Sequence, residues 1–337
     1  MPNQRNSSIE LLRIVAILLI VAMHGVARSI EAPDMTSRLS VVAINSVSNM
    51  GVTLFILISG YFGIRFSPSK LIRLWTMMLV YSLAILACEI ATGHTTLTIG
   101  NLYAALTPVT SVRWWFMTCY VVLFCLSPFV NAIVTTLTQR QMQWLLGVMA
   151  FFFILSPTFL QHTITNDSWG KGLPNFLLAY LLGQYLRCYG APLWLRRHGL
   201  TVFAGCVLLL FSVSSAATLI THKTQLLLCR DNDFFIVLGA VALFVFMSGL
   251  TFHNRFVNWA ATFAFPLYLL NLPIIALLYP QYTLPGTPPC QPLLGGAYLL
   301  TLIEVVAVAV AVELVRRLLF DRAVAGLGRW ADNKWTR

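Results

Sequence analysis

The chain has 337 residues, of which 58% are hydrophobic and only 10% are charged, and its mean hydropathy is +0.79. Soluble globular proteins carry roughly 25% charged residues because water must solvate their surface, so this composition excludes a soluble globular protein and a disordered chain. The apolar stretches are continuous rather than alternating, which also excludes a transmembrane β-barrel. The composition therefore predicts an all-α integral membrane protein with one membrane-embedded domain over residues 1–337.

Ten apolar segments approach the roughly 20 residues that a helix needs to cross a bilayer. The first also resembles the core of a signal peptide, but Glu10 and Arg13 precede it closely and no small-residue cleavage site follows, so we expect a mature helix. The prediction is a bundle of about ten transmembrane helices. They cover residues 9–27, 42–64, 71–92, 114–134, 143–161, 173–189, 200–221, 234–252, 262–280 and 295–319.

The positions of the basic residues predict the orientation. With the N-terminus in the cytoplasm, fifteen Lys and Arg residues fall on the cytoplasmic side and six on the outer side. Such an excess in cytoplasmic loops sets the orientation of membrane proteins. We therefore expect a multi-pass protein of the cytoplasmic membrane with both termini in the cytoplasm. The net charge of +11 then reflects the orientation of the protein in the membrane rather than binding of nucleic acid. The histidines and cysteines lack ligand spacing, so no metal site is predicted.

The first predicted helix carries three ionisable residues, Glu10, Arg13 and His24. An Arg in the middle of a membrane helix costs roughly 2.5–3.5 kcal/mol on insertion scales, so such residues are functional candidates. Glu10 and Arg13 are three residues apart and can pair. Arg13 and His24 are eleven residues apart, nearly three turns, and so share a face about 16 Å apart. The alternative is that Arg13 is an anchor at the membrane surface and His24 an interfacial side chain, although two anchors have no need to align.

Four later elements carry chemically distinctive residues. Small residues such as those ending the second span allow close helix packing, aromatic residues at span ends commonly anchor at the interface, and clustered cations suit either a positive-inside loop or a phosphate site. Asn49, Asn131 and Asn175 are buried amides that either join helices or line a site. In chain order the four elements are Ser59-Gly60-Tyr61, the basic group Arg65, Lys70 and Arg73, the pair Trp114 and Trp115, and Asn271 in the ninth span.

Taken together, these motifs resemble the membrane-bound acyltransferase 3 family over essentially the whole chain. Glu10, Arg13, ten residues and then His24 resemble the start of that family. Asn271 stands where a histidine is common, and an amide forms hydrogen bonds but carries no proton near neutral pH. The later matching segments are 51–61 (GVTLFILISGY), 69–73 (SKLIR), 114–117 (WWFM) with 126–128 (LSP), and 264–271 (AFPLYLLN).

The resemblance implies transfer of an acyl group, most often acetyl, from cytoplasmic acyl-CoA to a hydroxyl of a cell-surface carbohydrate or its lipid-linked precursor. Acyl-CoA is then a donor substrate rather than a permanently bound cofactor, and the other partners are the carbohydrate acceptor and membrane lipids. His24 is the expected general base because its charge changes near neutral pH. The remaining expected roles are catalytic for Arg13 and Glu10, donor binding for Arg13, Arg65, Lys70 and Arg73, and acceptor binding for Trp114, Trp115, Ser59, Tyr61 and Asn271.

Three alternatives remain open from the sequence. Ser59 or Tyr61 could carry a transient acyl group, although we expect direct transfer because a thioester needs little activation. A transporter or flippase of a sugar-containing or anionic substrate suits the same composition, but the chain shows no internal duplication of the kind many transporters have. A sensing or anchoring module is less expected because no soluble segment follows the last span. The sequence does not distinguish acetyl from succinyl, nor one acceptor glycan from another.

Overall fold

The computed structural model describes residues 6–27, 34–163, 168–279 and 296–335, and within these ranges every regular element is a helix. Helix α7 continues into a wider π-type helix, Phe151–Leu160, and short 3-10 turns at Ser168–Gly170 and Ala261–Phe263 precede α8 and α12. The α-helices are α1 (Ser7–Gly25), α2 (Met35–Ser48), α3 (Met50–Phe62), α4 (Pro68–Ala91), α5 (Ile99–Leu106), α6 (Trp115–Thr136), α7 (Gln139–Ala150), α8 (Leu173–Tyr189), α9 (Leu193–Thr221), α10 (Phe234–Ser248), α11 (Arg255–Ala260), α12 (Ala264–Leu278) and α13 (Gly296–Trp335).

In the described ranges, eight helical segments are long and apolar enough to cross a membrane. Each of the ten predicted segments overlaps a helix, but α8, with 17 residues, and α10, with 15, are shorter than that length. The second segment starts earlier than predicted because α2 runs directly into α3, giving one span over Met35–Phe62. The protein is thus a multi-pass helical membrane protein, while the count of ten crossings and the side of the termini stay predictions.

Helix α3 forms the centre of the bundle, with α1, α8 and α10 packed around it. A side chain at Gly60 would meet the backbone carbonyl of Tyr180, and one at Gly183 would meet that of Leu57. The α3 and α8 backbones therefore touch at two glycines, which is how small residues join helices that lack a hydrophobic driving force in lipid. The glycine of the Ser59-Gly60-Tyr61 motif consequently has a packing role.

Three prolines interrupt the helical hydrogen bonding of the spans, and in the α-helices Pro128 and Pro273 each leave a carbonyl four residues earlier without its usual donor. Side chains supply the missing hydrogen bonds, as the absence of water in a bilayer requires. For Pro128 the Ser127 hydroxyl donates to the Phe124 carbonyl at 2.7 Å. Beside Pro157 in the π-type helix, where hydrogen bonds span five residues rather than four, Asn232 Nδ2 donates to Phe153 O at 3.0 Å. For Pro273, Trp114 Nε1 donates to Leu269 O at 3.1 Å.

Helix α13 is tied to its neighbours by a buried ion cluster that the sequence analysis missed. Glu313 is 1% exposed and accepts hydrogen bonds from Arg316 Nε at 2.6 Å and from the Tyr81 hydroxyl of α4. Arg317 pairs with the same carboxylate and also donates to the Thr262 carbonyl at 3.0 Å. Arg316 and Arg317, which we counted only as cytoplasmic anchors, therefore hold α13 against α4 and the turn before α12.

Candidate functional site

His24 and Asn271 form a hydrogen bond across the bundle, with 2.6 Å between Nδ1 and Oδ1. Asn271 is fully buried, and its Nδ2 donates to the carbonyls of Leu267 at 3.0 Å and Tyr268 at 2.7 Å. Those two acceptors fix the orientation of the amide, so that its oxygen faces His24. An amide oxygen only accepts, and the proton between the two side chains therefore belongs to His24 Nδ1.

This hydrogen bond leaves Nε2 as the nitrogen with the free lone pair in the neutral imidazole of His24. The structure gives Nε2 no partner among the described residues, and the His24 side chain lines a cavity of about 230 Å³ at the end of α1. Should Nε2 take a proton, Asn271 Oδ1 still accepts from Nδ1 and stabilises the imidazolium. The pair is therefore arranged to accept a proton from a group in the cavity.

The cavity lies where six segments of the chain meet: the end of α1, the junction of α2 and α3, the start of α6, the loop before α8, the loop before α10, and α12. Trp115, which the sequence analysis predicted to bind the acceptor, lines this cavity. Asn49 lines it too, which is one of the two roles that the sequence left open for this amide. Lys171 Nζ lies 5.7 Å from the centre of the Trp115 ring. The remaining polar and aromatic lining residues are Asn45, Trp169, Lys171, Asp231 and Tyr268.

Trp169, Lys171 and Asp231 were missed by the sequence analysis because they lie in loops, outside the predicted spans. The available signal was the polar run Asp231-Asn232-Asp233 directly before the apolar helix α10. Asp231 is 5% exposed, and burial raises the pKa of its carboxyl to about 7, a shift that the charge of Lys171 opposes. A buried carboxyl with such a pKa in a polar cavity is typical of a functional site.

Glu10 and Arg13 form the predicted ion pair, with 25% of the Arg13 side chain and 9% of the Glu10 side chain exposed. Arg13 also interacts electrostatically with Tyr120, which interacts with Ser59 as well. Because Gly51 packs beside Ala16 and Ser59 lies near Arg13, α1 and α3 run antiparallel. Arg13 is therefore about three turns from His24 and close to the end of α3.

The three cations predicted to bind the donor lie at that same end of the bundle, where the chain leaves α3 and enters α4. The side chains of Arg65, Lys70 and Arg73 are exposed, and Lys70 Nζ donates to the Arg65 carbonyl at 3.2 Å. The end of α13 reaches this point as well, since the amide of Ser69 donates to Asp332 Oδ1 at 3.0 Å. A carboxylate from α13 thus already occupies part of the α4 N-terminus.

The sequence of this chain matches a known protein family. The model of the acyltransferase domain of the acyltransferase 3 type matches residues 6–315, nearly the whole chain. The chain belongs to the acyltransferase 3 family. Comparisons with curated proteins and with solved structures found no significant match. Membership favours acyl transfer over the transporter alternative, and the matched region includes His24, Asn271 and every residue that lines the cavity.

The remaining predicted residues of this acyltransferase lie away from the His24 cavity. Ser59 Oγ donates to the Phe55 carbonyl at 2.9 Å within its own helix. Tyr61 packs against Phe244 and lines a separate cavity of about 280 Å³. Trp114 is buried, and its indole N–H donates to the Leu269 carbonyl of α12. Of the predicted acceptor residues, the structure brings only Trp115 and, through its hydrogen bond, Asn271 to His24.

Proposed function

We propose that this acyltransferase transfers an acetyl group from acetyl-CoA, bound at the Arg13 end of the bundle, to a hydroxyl of a cell-surface carbohydrate or its lipid-linked precursor, bound in the His24 cavity. The main support for this proposal is the environment of the His24 side chain. Its Nδ1 is held by Asn271, its Nε2 lacks a partner among the described residues, and it lines a polar cavity. Arg13, half-buried on the same helix face three turns away, lies at the donor end.

His24 acts as the general base in this reaction. Nε2 takes the proton of the acceptor hydroxyl while the oxygen attacks the thioester carbonyl, forming a tetrahedral intermediate. The carbon–sulfur bond then breaks, the ester remains on the carbohydrate, and the thiolate of CoA takes the proton from the His24 imidazolium. Asn271 accepts from Nδ1 throughout, so the ring keeps one orientation and its positive charge keeps a partner.

The other end of the bundle supplies what the donor requires. CoA carries several phosphate charges, and Arg65, Lys70 and Arg73 present exposed cations beside the N-terminus of α4. Arg13 lies deeper, with roughly 16 Å between it and His24, a distance that an extended pantetheine arm spans. The arrangement supports donor entry at the Arg13 end, with the thioester at His24.

Direct transfer fits the positions of the two candidate acyl carriers better than a covalent intermediate does. Ser59 Oγ is bonded to the Phe55 carbonyl and lies near Arg13 rather than in the His24 cavity. Tyr61 lines a different cavity. Neither hydroxyl lines the cavity in which the acceptor is proposed to bind.

Replacing His24 tests the proposed base. His24→Ala should lower transfer to the membrane glycan by roughly 10²–10⁴-fold, because the base is lost, while folded protein still accumulates and still binds acetyl-CoA. Mass spectrometry of the glycan and donor affinity on purified protein measure the two effects. His162→Ala is the matched control, since that side chain is exposed in a loop outside the cavity. Transfer at the parental rate by His24→Ala would end the base assignment.

The same assay separates the two ends of the site. Arg13→Ala should weaken acetyl-CoA binding as well as turnover, whereas Lys70→Gln with Arg73→Gln should raise the KM for acetyl-CoA and leave kcat nearly unchanged. A donor without the nucleotide phosphates should show no difference between the double variant and the parent. If the double variant and the parent depend equally on acetyl-CoA, these cations do not bind the donor.

A further inference from the structure

Asp231 is a buried acid in the His24 cavity that the reaction proposed above does not use. Its backbone is held by three hydrogen bonds: its amide donates to Trp169 O at 3.0 Å, and its carbonyl accepts from Thr53 Oγ1 at 3.3 Å and from Asn175 Nδ2 at 3.4 Å. The position of the residue is therefore set by α3, by α8 and by the loop before α8.

The carboxyl group of Asp231, in contrast, is not satisfied. The side chain lines the cavity, and Oδ2 is buried without a hydrogen-bond partner in the described part of the chain. Leaving a buried acceptor unpaired costs free energy, and buried polar groups in folded proteins nearly always have partners. An acid held this firmly and left unpaired at a cavity wall is placed to bind a donor group of a ligand.

The charges around Asp231 favour a particular kind of ligand. Lys171 is the cation that interacts with it electrostatically and also acts on His24. Asp233, the other nearby acid, is occupied: its Oδ1 accepts from Thr158 at 3.2 Å and its Oδ2 from the amide of Arg230 at 2.8 Å. At a pH above the Asp231 pKa of about 7, the negative charge of Asp231 and the positive charge of Lys171 balance each other in the cavity. An uncharged ligand suits such a site best.

Two indole side chains, Trp115 and Trp169, line the cavity beside Tyr268. Trp169 has a left-handed backbone with a φ of 60° and is 45% exposed. Because this backbone conformation is unfavourable for a residue other than glycine, the loop holds the indole at the cavity wall at a cost in conformational free energy. A sugar ring has an apolar C–H face, which stacks on indole, and peripheral hydroxyls, which donate to a carboxylate. The cavity volume of about 230 Å³ suits a single ring rather than an oligosaccharide.

We propose that Asp231 determines acceptor specificity: its carboxylate accepts a hydrogen bond from a ring hydroxyl next to the reacting one and restricts the cavity to uncharged sugar rings. This inference rests on the proposed transfer to a carbohydrate hydroxyl. Asp231 is thus a specificity-determining residue, whereas His24 is the base. A ring that carries a carboxylate would meet Asp231 as a like charge and be rejected.

Matched pairs of simple sugars test the proposal. The probes are the methyl glycosides of glucose, galactose and mannose, each compared with its uronic acid at pH 8, above the Asp231 pKa of about 7. Binding is followed by ligand-observed saturation-transfer NMR on the full-length protein in lipid nanodiscs, because a glycosidic detergent would compete for the cavity. The parent should bind at least one neutral glycoside more tightly than the corresponding uronate.

Asp231→Asn should reverse that preference. The neutral glycoside should bind roughly tenfold or more weakly, because a charge-assisted hydrogen bond is lost, and the uronate should bind more tightly, because Lys171 is left without its counter-charge. A gain of uronate binding does not arise from damaged folding. Glu89→Gln is the control, since it removes the same charge near the end of α4, outside the cavity, where the half-buried carboxylate pairs with Arg113 at 3.8 Å. Lys171→Gln should bind the uronate more weakly than the parent does. This variant tests the proposal if Asp231→Asn does not fold.

Three results would overturn the inference: no neutral glycoside binds the parent, the parent binds neutral and acidic rings equally, or Asp231→Asn changes both equally. These failures differ from failure of the proposed function, which is tested by acyl transfer in His24→Ala. If His24→Ala abolishes transfer while sugar discrimination is unchanged in Asp231→Asn, the specificity role alone is wrong. If transfer persists in His24→Ala while the preference reverses in Asp231→Asn, the base assignment alone is wrong.

Discussion

Asn271 orients His24 through a hydrogen bond, and its amide carries no titratable proton near neutral pH. Its amide nitrogen is used by the carbonyls of Leu267 and Tyr268, which leaves its oxygen as a fixed acceptor for His24 Nδ1. A histidine at the same position could present either ring nitrogen, and its role would depend on its own tautomer. The asparagine in this chain therefore sets the tautomer of His24 by chemistry that does not change with pH.

Asn271→Ala should lower kcat by roughly 5- to 150-fold, which corresponds to the about 1–3 kcal/mol lost when a buried donor loses its acceptor. The KM for acetyl-CoA should not change, because the donor cations lie at the other end of the bundle. Asn271→His should retain more activity than Asn271→Ala, since an imidazole nitrogen can still accept. The measurement is steady-state kinetics of acyl transfer with a pH–rate profile.

A role limited to folding would give a different result for Asn271→Ala. The amount of folded protein would fall, and kcat per folded molecule and the pH profile would stay at the parental values. Asn131→Ala provides that comparison, because Asn131 is an amide that joins the Ile64 carbonyl and the Tyr180 hydroxyl at the opposite end. We expect Asn131→Ala to reduce yield and to leave kcat unchanged.

Among the helices, α3 carries the tightest constraint because it packs against α8 through glycines. The Ser59-Gly60-Tyr61 motif lies at this crossing, and Gly63, with a φ of 73°, then ends α3 in a conformation that favours glycine. The position of α3 in turn places Asn49 and Thr53 beside the His24 cavity. The motif is therefore connected to the site through the backbone rather than through its own hydroxyls.

Gly60→Ala should destabilise the protein, since its new methyl group would overlap the Tyr180 carbonyl and force α3 and α8 apart. The expected loss is about 1–3 kcal/mol, as for other overpacked cores. Gly205→Ala is the matched control: Gly205 lies inside α9 with open space around it, and alanine favours a helix over glycine. Thermal unfolding of both variants in detergent measures the difference. Equal melting temperatures would show that the crossing tolerates a side chain.

At the scale of the whole molecule, the antiparallel packing of α1 and α3 creates two chemically different ends. One end carries Arg13 and the exposed cations of the α3–α4 connection, and the other carries the His24 cavity. Two of the fifteen residues in the cation count, Arg316 and Arg317, pair with Glu313, yet the excess of cations at the first end persists. The direction of the reaction across the membrane follows from which end faces the cytoplasm.

Reporter fusions test this orientation. Fusions that end after Lys70 and after Arg197 should be active only with a cytoplasmic reporter, such as a fluorescent protein, and a fusion after Lys223 should be active only with an exported reporter, such as alkaline phosphatase. The reason is the excess of cations on the cytoplasmic side. An exported signal at Lys70 would reverse the orientation and would place the donor cations on the side of the membrane that lacks cytoplasmic acyl-CoA.

The sequence alone determined the class of protein, the family, and the helix face that carries Arg13 and His24. Composition is sufficient for the first, because a chain with so few charges must lie in lipid, where helices satisfy their own backbone. The spacing of Glu10, Arg13 and His24 is local, so helix geometry predicts both the ion pair and the shared face. The ordered motifs predicted the acyltransferase 3 family that the comparison found.

Only the tertiary structure decided which side chains meet His24. Asn271 is 247 positions away along the chain, and Lys171 and Asp231 come from loops that no helical or hydropathy period describes. Trp114 and Trp115 are adjacent and chemically alike, yet one completes the backbone of α12 beside Pro273 and the other lines the cavity. Periodicity reports which face of one helix is polar, but it carries no information about contacts between distant segments, and these contacts depend on how the whole bundle packs.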